Sequence, residues 1–288
     1  MAEELTASKP AYRFTRILNL FAEHHGTLRF PVDVVALAKD AANQFRWNDP
    51  ITKVQAEDIK NFEGALIPSE GKREWLLLYN KKLSSQGRIR FTQAHELGHY
   101  LLHRHLRDSF NCTEGDLINL ETDEATIESQ ADSFASTILM PLDDFRAQMI
   151  GSADFEGLGA CAARYGVSLT AATLRWLKHT EHQAVLIVHR DGYMNWAFSS
   201  TPAVKNGAFF RTRSETIAVP DGTLAADTSV QHERAGTEVA ARAWFPHAPT
   251  DLSLREMKIT SNEYDAVMSL LVLPRDANVW KPRDEYGC

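Results

Sequence analysis

Two histidines four residues apart, with a glutamate directly after the first, make the segment His95-Glu96-Leu97-Gly98-His99. On a helix, positions four apart share one face one turn apart, so both imidazoles can reach a single ion. Glu96 is rotated by roughly 100° from His95. That rotation sets it beside the ion instead of on it, where a carboxylate can take a proton from an attacking water. The chemistry indicated is metal-assisted hydrolysis, with one zinc ion as the metal that suits such ligands. In a chain with 11 histidines the pattern can also arise by accident. Against accident, Phe91, Ala94, Leu97, Leu101 and Leu102 make the surroundings of the two histidines apolar, as a buried active-site helix requires.

A third ligand is needed, and the chain offers rivals. His105 lies six residues after His99, a spacing that works only if a glycine bends the helix; Leu102 stands where that glycine would be. His103, one turn beyond His99, points the right way but sits about 6 Å further along the axis. Glu128 is the favoured ligand. It and Asp132 are again four apart, so one carboxylate can bind the ion while the other accepts a hydrogen bond from a ligand histidine. The competing view makes the pair a solvated acidic face, like neighbouring Glu121, Asp123 and Glu124. Ala131, Phe134, Ala135 and Ile138 put an apolar stripe beside it, so the face borders a core. His103 is then either a group supporting a ligand from behind or a packed core histidine. HExxH followed by ExxxD is similar to the gluzincin pattern, whose His2Glu set leaves zinc an open position.

The elements that must position these groups can be read around them. Residues 11 to 25 and 31 to 46 read as amphipathic helices, the second starting at Pro31. Phe62–Ile67 and Trp75–Asn80 read as the strands of a hairpin across PSEGKR. Helix begins near Arg90; a polar break from Asp108 to Asp123 follows, then a helix over 124 to 139 that stops at Pro141. Residues 155 to 179 read as helix, turn at Gly166-Val167-Ser168, and helix. Ala184–His189 and Tyr193–Phe198 flank Arg190-Asp191-Gly192, a hairpin signal, and a helix is expected from Ser261 to Leu271.

The resulting fold class is α+β, with a zincin-like catalytic domain of a small sheet and active-site helices over 1–150. A helix-turn-helix-like unit over 151–180 and an α+β C-terminal domain over 181–288 follow. With a formal charge of -7 and a pI near 5.9, the chain carries no general electrostatic footprint for nucleic acid. The region 160–179 has a helix-turn-helix spacing, yet Leu169, Thr170, Ala171 and Thr173, with only Arg175 and Lys178 as nearby cations, are thin equipment for DNA. Structural helix pairing is the expected role. No signal peptide or membrane-spanning run is found. Cys112, Cys161 and Cys288 are few and odd in number, which suits reduced thiols in a cytoplasm. Cys112 reads as a small semi-buried thiol.

The run Arg90-Phe91-Thr92-Gln93-Ala94-His95-Glu96-Leu97-Gly98-His99-Tyr100-Leu101-Leu102-His103, then Glu128-Ser129-Gln130-Ala131-Asp132-Ser133-Phe134-Ala135 and Leu139-Met140-Pro141, resembles the ImmA/IrrE metallopeptidases. Phe62-Glu63-Gly64 is similar to that family's upstream element, and the resemblance covers roughly residues 10 to 145. Asp132 stands where relatives commonly have Asn. The resemblance implies metal ligands at His95, His99 and Glu128, with Glu96 as catalytic base. It also implies a hairpin edge that pairs with an extended substrate, and a helix-turn-helix repressor as the protein cleaved. By analogy with long relatives, the C-terminal domain would be a GAF-like sensor. The rival function is a non-proteolytic, metal-containing transcriptional regulator that binds DNA or a partner protein.

Overall fold

In a computed structural model of the chain, the described residues are 8–106, 110–112, 123–149, 153–262 and 264–281. The polar break expected between Asp108 and Asp123 falls largely outside them, as do Cys288 and the side chain of Cys112.

Helices α1 (Ser8–His25) and α2 (Val34–Phe45) form where apolar periodicity places them. The second starts after Pro31, because the Asp33 carboxylate accepts from Ala36 N at 3.0 Å and caps its first turn. Strand β1 (Ile51–Glu57) follows, then the hairpin of β2 (Gly64–Pro68) and β3 (Trp75–Asn80). Helix α3 (Gln86–Leu102), strand β4 (Phe110–Cys112) and helices α4 (Asp123–Leu139) and α5 (Leu142–Gln148) come next.

The first sheet runs β1-β3-β2-β4, with β1 parallel to β3 and the other pairs antiparallel. The hairpin strands are therefore interior, and the expected free hairpin edge is not found beside the histidines. There β4 pairs with β2 over Gly64–Leu66. β1 is mostly exposed, with only Ile51 buried, so its residues carry little apolar alternation to reveal it. Helix α3 lies across β2 and β3 and along α4. It is capped by Ser85, whose hydroxyl accepts from Arg88 N.

Helices α6 (Phe155–Tyr165) and α7 (Leu169–His179) come next, with the turn at Gly166-Val167-Ser168 between them. Gly166 takes the left-handed conformation (φ 60°) that ends α6, and Ser168 Oγ accepts from Ala171 N at 3.1 Å to start α7. Thr173 and Arg175 are buried, and Arg175 Nη1 lies 3.2 Å from His179 Nε2, leaving Lys178 as the exposed cation of α7.

The chain continues through β5 (Gln183–Arg190), β6 (Tyr193–Ser199), α8 (Thr201–Lys205), β7 (His232–Ala240) and α9 (Ala241–Trp244). It ends with the hairpin of β8 (Ser253–Ser261) and β9 (Ala266–Leu273). This second sheet is ordered β6-β5-β9-β8-β7, every pair antiparallel. The helix expected from Ser261 to Leu271 is thus a turn and a strand. β9 lies in the middle of the sheet, and a nearly continuous apolar run such as AVMSLLVL reads alike for a buried helix and a central strand. Trp244, Phe245 and Leu254 join Val185, Ile187 and Leu271 in its core. Glu256, fully buried there, accepts from Ala225 N at 2.7 Å, Trp244 Nε1 at 3.0 Å and Leu224 N at 3.1 Å.

Two compact units emerge, one within Met1–Ile150 and Ala160–Ala171, the other within Gly151–Gly159 and Ala172–Cys288. Among the described residues, no helix is long and apolar enough to cross a membrane.

Candidate metal centre

Helix α3 puts His95 and His99 on one face, and α4 crosses that face with Glu128. Closeness of the two helices depends on a missing side chain. A Cβ on Gly98 would sit 3.1 Å from Ala131 Cα and 3.2 Å from both Ala131 O and Phe134 Cδ1. With no Cβ there, the two backbones close together and a glutamate reaches the histidines.

The reach is short. Glu128 Oε2 lies 3.0 Å from His95 Nε2 and 3.3 Å from His99 Nε2, and the two Nε2 atoms are 2.9 Å apart. His95, His99 and Glu128 are all buried, and one ligand atom from each falls within 4.8 Å of the others. Two imidazole nitrogens and a carboxylate oxygen aimed at one point form a donor set for a cation such as zinc. The charge states agree. Burial pushes the His99 imidazole down to about 4, against the pull of Glu128, so at neutral pH it is an uncharged ring with a lone pair to give. Burial by itself would raise the Glu128 carboxyl. The adjoining His95 and His99 imidazoles outweigh it and hold Glu128 ionised, below the ordinary carboxylate range.

Behind the ligand atoms, His95 Nδ1 is 2.8 Å from Asp132 Oδ1. That bond places the Asp132 carboxylate where it can orient His95. His99 Nδ1 is instead 3.0 Å from His103 Nδ1, and His103 Nε2 is 2.9 Å from Gln130 Oε1. His103, buried, stands behind a candidate ligand and is not among the converging three. His105 is exposed, with no share in the group.

Glu96 is completely buried, one step round the helix from His95. Strand β2 passes directly over it. A Cβ on Gly64 would collide with Glu96 Oε1 and lie 2.6 Å from Thr92 Cγ2, so only glycine lets the strand run here. Two anchors hold Gly64 in place. The Asn80 side-chain amide donates to Ile59 O at 2.7 Å and Phe62 O at 2.8 Å, and Arg88 Nε donates to Glu63 Oε2 at 3.0 Å. Tyr100, one of the polar groups near the histidines in sequence, is turned away. Its hydroxyl donates to Asp49 O at 2.9 Å, and Arg104 from the turn after α3 also holds Asp49, at 3.0 Å.

Reading the residues alone missed three contributors: Gly64, Gly98 in its role as a spacer, and Gln130. The nearest signal was the glycine in Phe62-Glu63-Gly64, whose partner is remote in sequence.

Residues 49–177 match the family model of the IrrE N-terminal-like domain, peptidase family M78. The chain carries an ImmA/IrrE-family domain. Its match spans β1 through most of α7, including every residue of the converging group. No curated protein matches the chain. Among solved structures, a Mycobacterium tuberculosis transcriptional regulator is similar in fold, with a TM-score of 0.51 and 15% identity over 91% of this chain and 76% of that one. At that identity the likeness concerns the fold alone. The ImmA/IrrE-family domain therefore brings a metallopeptidase-type scaffold together with a buried His-His-Glu group able to hold a metal.

Proposed function

We propose that this chain is a zinc-dependent endopeptidase that cuts a protein, namely a helix-turn-helix transcriptional repressor, and so induces stress or mobile-element genes. The observation that carries the reading is the convergence of His95, His99 and Glu128 beside the fully buried Glu96. In this reading those three hold the zinc, while Asp132 and His103 orient its histidines. Zinc bound there would make water more acidic and polarise a peptide carbonyl. Glu96 takes the proton from the attacking water and passes it to the departing amine. A carboxylate excluded from bulk solvent and held beside a strand is well placed to do both without surrendering the proton to water.

The family match and the fold likeness to a transcriptional regulator both suit a protein substrate in a regulatory setting. The reading gives 1–150 the catalysis and 181–288 a sensing role, with the 151–180 helices as a structural connection. The buried Thr173 and Arg175 support leaving DNA out of it. Cytoplasmic location is part of the same proposal, since a repressor substrate resides there.

The test is incubation of the zinc-loaded protein with the helix-turn-helix repressor encoded beside its gene, with products read by mass spectrometry. One discrete cut, abolished by a chelator and restored by zinc, is expected. An intact repressor after prolonged incubation with stoichiometrically loaded protein would favour the regulator reading instead.

Gly64→Ala provides a separate check. The added methyl must push either the Glu96 carboxylate or β2 aside, and displacement of a reacting group by about 1 Å costs on the order of 10²-fold in rate. Because the atoms nearest an added methyl belong to Glu96 and Thr92 and not to a candidate ligand, zinc affinity should remain near wild type. Measuring the cleavage rate and zinc affinity on the same preparation checks both parts. Equal loss of the two would show that the glycine serves folding, not Glu96.

A further inference from the structure

The two candidate ligand histidines are oriented by different chemistry, and the difference has a consequence for metal binding. His95 has a carboxylate behind it, Asp132, which can only accept and so fixes a proton on His95 Nδ1. Behind His99 stands a second imidazole. His99 Nδ1 faces His103 Nδ1 at 3.0 Å, and His103 Nε2 faces Gln130 Oε1 at 2.9 Å.

Two ring nitrogens in contact need one proton between them, so the His99–His103 pair runs in one of two directions. If Gln130 accepts through Oε1, His103 carries its proton on Nε2 and receives one from His99 Nδ1. His99 Nε2 is then a bare lone pair aimed at Glu128 and His95. If Gln130 turns its amide and donates, each proton shifts by one place, and His99 carries its proton on Nε2, where it blocks a metal. We infer that Gln130 is a positioning residue whose amide orientation, passed through His103, sets whether His99 can bind metal.

This rests on the metal-centre reading, and its test reads the zinc ion alone, without substrate. Zinc affinity is measured by competition with a chromophoric chelator for wild type, Gln130→Leu and Gln130→Glu, beside the thermal midpoint of each metal-free protein. Gln130→Leu removes the acceptor and is expected to weaken zinc binding by about 10-fold or more, the usual scale for such partners. Gln130→Glu can only accept, so it is expected to bind zinc at least as tightly as wild type. A packing role for Gln130 predicts the reverse order, because the glutamate buries a charge. Gln130→Leu within twofold of wild type, or Gln130→Glu weaker than Gln130→Leu, overturns the inference. Should wild type itself bind no zinc, the metal-centre reading falls with it.

Discussion

Glu96→Gln is expected to reduce cleavage by about 10²- to 10⁴-fold, with zinc still bound. The substitution keeps shape and burial while removing the one group that can accept a proton at this point. Glu96 is fully buried and is not among His95, His99 and Glu128, so nothing in the converging group is lost. Its neighbours, Gly64 on β2 and Thr92 on α3, are unaffected by an isosteric change. The expected result is a protein with near wild-type zinc affinity and thermal midpoint but no discrete repressor fragment, read by single-turnover mass spectrometry beside chelator competition. Cleavage persisting at wild-type rate would remove Glu96 from the reaction. Under a purely regulatory role the variant would behave as wild type in gene induction, which separates the two readings in cells as well.

How much of this could be read from residues alone follows from where each contact lies along the chain. His95, Glu96 and His99 sit within one turn and a half of α3, so helical rotation alone assigns their faces. Glu128 and Asp132 obey the same rule on α4, and an apolar stripe beside them signals which way that helix faces. Gln130 does not, since two residues from Glu128 it belongs to another side of the helix, and only the tertiary arrangement brings it to His103. Gly64 was visible as a residue but not as a spacer, because its reason is a carboxylate on a different element. Strand β9 was misread for a related cause. A central strand and a buried helix have the same apolar content, and only pairing with β5 and β8 distinguishes them. The edge of the first sheet was misread too. The three residues of β4 carry no periodicity, yet they pair with β2 beside Glu96. An extended substrate entering on the β4 side of this sheet meets β4 beside Gly64–Leu66.

Zinc removal is expected to lower stability by an amount that vanishes in Glu128→Ala. In wild type, an ion bound only by the folded state stabilises it by about 4 kcal/mol when free zinc is a thousandfold above the dissociation constant. The three ligand atoms come from two helices, so the ion links α3 to α4 at the place where Gly98 and Ala131 let them close. Without Glu128 two histidines remain, both on α3, and an ion held by them no longer joins the helices. The variant should therefore show one urea midpoint with or without zinc, whereas wild type shows two. Asp132→Asn separates ligation from orientation. Its amide can still accept from His95 Nδ1, so the zinc-dependent gain should shrink without disappearing. A wild-type midpoint that ignores both zinc and chelator would mean that the convergence of His95, His99 and Glu128 is a buried hydrogen-bonded cluster and no metal site. In that event Glu128, held ionised by two histidines, would itself be the stabilising group, and Glu128→Ala would cost stability equally under both conditions.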